Sequence, residues 1–139
     1  MREPPGDDGL PDLFWGVARR LRGRTRTALE PFAVTPSLSR ALSALFQHAP
    51  MRVSALAEHL RVAPRTATEL VDDLASRDLA DRRPDPDDRR AVLVVLTPAG
   101  EAAAQAIRAA REAAGERFFA ALSAGDRRDL ARILRELRD

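Results

Sequence analysis

Arg65, Thr66, Thr68 and Glu69 share the polar side of a segment whose apolar residues, Ala67, Leu70, Val71 and Leu74, recur at helical spacing. The chemistry open to that set is the reading of base edges. A guanidinium can hold guanine O6 and N7 as a bidentate pair, a carboxylate can accept from a cytosine amino group, and hydroxyls serve either role. Arg89 and Arg90 follow Pro84-Asp85-Pro86-Asp87-Asp88, a run of strong turn formers. Cations at the tip of a narrow hairpin suit the negative potential of a narrow minor groove. Ser54 and Arg52 suit phosphate oxygens, contacts that set register without reading sequence. Taken singly, each group is also what a solvated helix face or an ordinary turn contains. Their order along the chain gives them a common meaning.

Other chemistries find little support. The chain has no cysteine, which removes disulfides, thiolate metal sites and thiol redox switches. Its two histidines, His48 and His59, are too few for a His-rich metal site. Asp85, Asp87 and Asp88 offer oxygen ligands, but no EF-hand spacing or glycine accompanies them, so they read as a turn. There is no Gly-rich phosphate loop and no Ser-His-Asp set. The expectation is a protein with no cofactor and no metal that is not an enzyme.

The elements that must position these groups follow from periodicity and caps. Residues 1–9 read as a flexible polar tail. A helix begins near Leu10, with Leu13, Phe14, Val17, Ala18 and Leu21 as its stripe, and ends near Leu29–Pro31. Thr35-Pro36 opens a second helix that buries Leu38, Ala41, Leu42, Leu45 and Phe46. Ser54 is expected to cap a short helix over 55–60. A tight turn at Arg61–Ala63 leads to Pro64, which opens a helix to about Ser76. Two short helices joined this way make a helix-turn-helix. Leu79–Arg83 and the β-branched run Ala91–Leu96 predict a hairpin. Thr97-Pro98 caps an alanine-rich helix over 98–121, which permits close approach of another helix. Asp126 is expected to cap a last helix carrying Leu130, Ile133, Leu134 and Leu137.

A length of 139 residues suits one DNA-binding module with attached helices. All 23 cations are arginine. Charge count is nevertheless a poor guide, since 52–90 holds eight Arg against nine Asp and Glu. A claim of nucleic-acid binding must rest on where the arginines sit. No apolar run reaches the roughly 18–20 residues of a membrane span. The first residues lack a secretory apolar region. Cytoplasmic location with no membrane partner is the expectation.

Val53-Ser54-Ala55-Leu56-Ala57-Glu58-His59-Leu60, followed by Val62 and Pro64-Arg65-Thr66-Ala67-Thr68, resembles the helix-turn-helix of the MarR family of transcriptional regulators. The likeness is sharpest in Asp85 to Gly100. There Asp88 and Arg90 fill the family's Asp-x-Arg turn, and Leu96, Thr97 and Gly100 its Leu-Thr-x-x-Gly helix start. The resemblance implies a mainly α fold with a small β-hairpin wing: a winged helix-turn-helix over 36–97, flanked by dimerisation helices at 10–35 and 98–139. It implies a homodimer that puts helix 64–76 into a major groove and its wing into a minor groove. The operator is then a pseudo-palindrome of double-stranded DNA, with half-sites about one helical turn apart. It also implies a small aromatic effector, for which Trp15, Phe46 and His48 are the candidate contacts. Ala63 departs from the family's capping Ser, and Asp73 and Asp78 replace residues that tend to be Arg and Gly. With Glu69 and Asp72 they leave the recognition helix acidic. That acidity motivates a second reading, a dimeric winged-helix protein-interaction module with weak or lost DNA binding.

Overall fold

The computed structural model describes residues 9–139; residues 1–8, most of the expected tail, lie outside the described residues. Six α-helices, one 3-10 turn and three short strands follow in order: α1 (Leu10–Leu29), the turn Glu30–Phe32, α2 (Pro36–His48), β1 (Met51–Arg52), α3 (Val53–Leu60), α4 (Pro64–Ser76), β2 (Ala80–Asp85), β3 (Asp88–Leu96), α5 (Pro98–Phe119) and α6 (Ala124–Arg138). The fold is mainly helical with a small antiparallel sheet, as the sequence predicts. The chain divides into two compact units, Leu29–Ala110 and a second formed by the terminal stretches up to Ala28 and from Arg111. The first contains the whole winged helix-turn-helix. It also takes in the first half of α5, whose Ala104 and Ile107 are buried in its core. The compact unit runs past 97 because the apolar face of early α5 packs into its core.

Within that unit, Leu38, Leu42 and Leu45 of α2, Leu56 of α3, Val71 and Leu74 of α4, and Val94 of β3 are fully buried. Thr35 starts α2 as expected: its hydroxyl accepts from the Leu38 N–H at 3.1 Å, with Pro36 in the first turn. The Arg40 guanidinium donates to the Leu60 carbonyl at 2.9 Å, tying α2 to the end of α3. Two expected caps are overturned. α3 begins at Val53 with Arg52 as its N-cap and no side-chain cap, so Ser54 lies inside the first turn. The last helix is capped by Ser123, whose hydroxyl accepts from the Asp126 N–H at 3.1 Å. In both cases the helix starts upstream of the residue that the pattern favours.

The sheet has a strand that periodicity did not reveal. β1 is two residues long and pairs antiparallel with β3, Met51 opposite Val94 and Arg52 opposite Leu93. The strand order is β1-β3-β2. β2 and β3 run closer to the tip than predicted. Pro84 and Asp85 belong to β2, Asp88 opens β3, and only Pro86 and Asp87 form the turn. The register shifts between Pro84 and Asp85, beside a proline that has no N–H for the ladder.

The base of the wing is locked by one junction. The Thr97 N–H donates to the Leu79 carbonyl at 3.1 Å. The Thr97 hydroxyl donates to the Asp78 carbonyl at 2.7 Å and accepts from the Gly100 N–H at 3.0 Å, capping α5. Asp78 is left-handed, with φ of 60°, which Asp tolerates better than most residues. A Cβ on Gly100 would sit 1.9 Å from the Leu79 carbonyl oxygen, so glycine is required for the close approach. Gly100→Ala is expected to destabilise the protein by at least about 1–3 kcal/mol, read as a lowered midpoint in urea unfolding. An unchanged midpoint would refute this account of the junction.

Candidate DNA interface

Helix α4 begins at Pro64 after an extended Ala63, which offers no side-chain cap. The absent hydroxyl costs about 1 kcal/mol relative to Ser. Ala67, Val71 and Leu74 are buried, which turns Arg65, Thr66, Thr68 and Glu69 to solvent. The apolar stripe thus fixes the orientation of the polar one. Arg65 is 92% exposed and lies 3.4 Å from Glu69, a loose i, i+4 pair. The Thr68 hydroxyl donates back to the Pro64 carbonyl at 3.1 Å, which fixes its rotamer and leaves its lone pairs outward.

The other acids of α4 are balanced from within the unit. Asp73 accepts from Arg77 at 2.8 Å, and the same guanidinium donates to the Ala33 carbonyl at 2.7 Å. Asp72 pairs with Arg82 of β2. Exposed pairs of this kind stabilise by no more than about 1 kcal/mol. Each of these two carboxylates nevertheless has a cation beside it. None of these pairings is evident in the sequence except the i, i+4 spacing of Asp73 and Arg77.

At the wing tip the deciding group is Asp85. Its carboxylate is only 7% exposed. One oxygen accepts from the Asp87 N–H at 2.9 Å. The other accepts from Arg52 Nε at 2.9 Å and from its terminal nitrogen at 2.7 Å. The Asp87 N–H, and then the Arg52 guanidinium, hold the Asp85 carboxyl below its ordinary value of 3.8. Sequence reasoning placed Arg52 on phosphate. The structure commits one edge of its guanidinium to Asp85, bracing the hairpin tip against β1. The two residues stand 33 positions apart, so no local pattern signals the pair.

Arg89 and Arg90 are exposed in the first residues of β3 and make no ion pair among the described residues. Asp88 accepts from the Arg90 backbone N–H at 3.0 Å, which shapes the strand start and leaves the guanidinium free. Ser54 is exposed on α3. Of the expected effector contacts, Trp15 lies in the terminal unit, whereas Phe46 and His48 lie in the wing unit. All three are exposed. His48 stands in ring contact with His59, the centroids 5.0 Å apart.

A helix-turn-helix with an exposed polar second helix, followed by a hairpin carrying free arginines, defines a winged helix-turn-helix protein. The family model for MarR matches residues 34–92. An uncharacterised HTH-type transcriptional regulator of Mycobacterium leprae is 34% identical over 87% of this chain and 81% of its own length. The repressor MdtR of Bacillus subtilis is 29% identical over 79% of this chain and 71% of its own length. The Bacillus subtilis regulator YsmB is 32% identical over 61% of this chain, and the match spans only 58% of that protein. A Mycobacterium tuberculosis MarR family protein, solved in complex with salicylic acid, superposes with a TM-score of 0.73 at 28% identity, over 96% of this chain and 99% of that one. The chain belongs to the MarR family.

The brace gives a signed pH dependence. Because the folded-state pKa of Asp85 is depressed, its contribution is complete above the ordinary carboxylate value and is lost as pH falls through the lower folded value. Hydrogen exchange at the Asp87 amide is expected to stay slow at neutral pH. In Asp85→Ala the same amide should exchange at about the rate of an open turn, with the α-helical signal intact. Equal exchange in both proteins would show that the tip does not depend on this carboxylate.

Proposed function

We propose that this protein is a sequence-specific, duplex-DNA-binding transcriptional repressor that acts as a homodimer in the cytoplasm and leaves its operator when a small aromatic ligand binds. The observation that carries the reading is the joint exposure of Arg65, Thr66, Thr68 and Glu69 on α4 with the unpaired Arg89 and Arg90 on the wing. Arg65 and Glu69 read base edges in the major groove, while Arg90 enters the adjacent minor groove. Ser54 and the free edge of Arg52 meet phosphate. The first N–H groups of α4, which no side chain caps, are open to a phosphate oxygen as well.

The terminal helices support the dimer. Leu10, Leu13, Phe14, Trp15 and Val17 of α1 and Ile133 and Leu137 of α6 are exposed, Leu137 by 75%. Leu10, Leu13, Phe14 and Val17 recur at helical spacing, and an exposed apolar stripe of this kind suits a second copy. The effector is supported by the salicylic acid bound to the Mycobacterium tuberculosis relative. Trp15 in one unit and Phe46 in the other are each exposed rings, the candidate contacts for such a molecule. The alternative interaction-module reading drew on the acidic recognition helix. The pairing of Asp72 with Arg82 and of Asp73 with Arg77 removes much of its motive.

The test is an anisotropy titration of DNA from upstream of the protein's own gene at two salt concentrations. Saturable binding that weakens with salt is expected. Arg65→Ala should weaken operator binding about five- to hundredfold, equivalent to about 1–3 kcal/mol for a lost bidentate base contact. Arg90→Ala should also weaken it. Footprinting should reveal a pseudo-palindrome with half-sites about 34–36 Å apart. If the folded dimer binds no duplex even at low salt, the interaction-module reading takes its place.

A further inference from the structure

The two imidazoles of this 139-residue chain lie against each other, although they are far apart in sequence. His48 closes α2 and His59 lies in the last turn of α3. Both are exposed. No ring nitrogen of either is hydrogen-bonded to the protein among the described residues. We propose that His48 and His59 form a two-histidine site for a divalent transition-metal ion of the zinc, nickel or copper class, which clips the end of α2 to the end of α3.

The separation of the two rings matches that of a chelate. A metal–nitrogen bond of about 2.0–2.1 Å puts each ring centre roughly 3.2 Å from the ion, so two imidazoles at a tetrahedral angle have centres roughly 5 Å apart. The observed separation is 5.0 Å, with the ring planes inclined at 59°. Neutral imidazole is the preferred ligand of this metal class, whereas magnesium and calcium demand oxygen. No group of three or more His, Cys, Asp or Glu gathers for a metal among the described residues. Two protein nitrogens therefore hold the ion and water fills the remaining positions, an open and exchangeable site rather than a closed structural one.

The position gives binding a consequence. Arg40 of α2 already reaches the carbonyl of Leu60, the residue after His59. A metal bridge adds a second link at the same junction. That junction immediately precedes Arg61, left-handed with φ of 55°, where the chain turns towards the recognition helix. An ion bound only to the folded pair raises stability with the logarithm of its free concentration over the dissociation constant.

The two-histidine inventory makes the test clean. Isothermal titration of the full chain with zinc chloride, and in parallel with nickel chloride, is expected to give one site per chain. A hundredfold excess over the dissociation constant should raise the unfolding temperature by several degrees. His48→Ala and His59→Ala, both at exposed positions, should keep the far-ultraviolet helical signal and each lose affinity tenfold or more. Absence of saturable binding below millimolar metal would overturn the proposal. So would binding that survives both substitutions, or that depends on one histidine alone.

Discussion

The wing unit depends first on a single hydroxyl. Thr97 lies between β3 and α5 and is buried, where an unpartnered polar group would be costly. The hydroxyl meets that demand by donating to one element and accepting from another. It binds the Asp78 carbonyl, just after α4, and receives the Gly100 N–H of α5. The arrangement works only because Asp78 adopts a left-handed turn and Gly100 presents no Cβ to the Leu79 carbonyl. The end of the recognition helix, both ends of the hairpin base and the start of α5 are thereby held at one point. A hairpin anchored so firmly at its base has a defined direction.

The tip needs its own support, because two strands of this length are marginal by themselves. The Arg52–Asp85 pair provides it across the face of β3, with β1 carrying the arginine. Here an arginine that composition would count towards DNA binding serves mainly to hold other arginines in place. The same logic governs α4, where carboxylates that count against DNA binding are matched by Arg77 and Arg82. Net charge over this region is therefore uninformative in either direction. What matters is which guanidiniums remain unpaired once the fold has used the others, and Arg89 and Arg90 do.

The terminal helices follow a different economy. No residue of α6 is buried, and the apolar stripe of α1 is largely exposed within the chain. Amphipathic helices gain most of their stability from packing rather than propensity, and a single copy leaves these faces unpacked. Alanine-rich α5 contributes helix propensity and lets neighbours approach closely, while its early residues Ala104 and Ile107 serve the wing core. One continuous helix thus spans both units, so the wing cannot be excised at Leu96 without losing part of its core.

The sequence by itself determined what is local. Apolar periodicity placed α1, α2 and α4; Thr35 and Thr97 announced their helix starts through a hydroxyl beside a proline; and the β-branched run Ala91–Leu96 announced β3. The same periodicity, by assigning Ala67, Val71 and Leu74 to the core, turned Arg65, Thr66, Thr68 and Glu69 outward. The wing motif was legible because Thr97 and Gly100 are only three residues apart, within a single turn of helix. Tertiary structure alone decided the rest. β1 is two residues long and exists only because β3 offers it an edge. Asp85 and Arg52 meet across 33 residues. His48 and His59 are brought into ring contact only by the packing of α2 on α3. Ser54 and Asp126 are both cap-type residues, yet α3 starts at Val53 and α6 at Ala124, so each lies inside its helix and Ser123 caps the last one. Caps and stripes are written in spacings of three and four along the chain, whereas pairings across the fold depend on where whole elements come to rest.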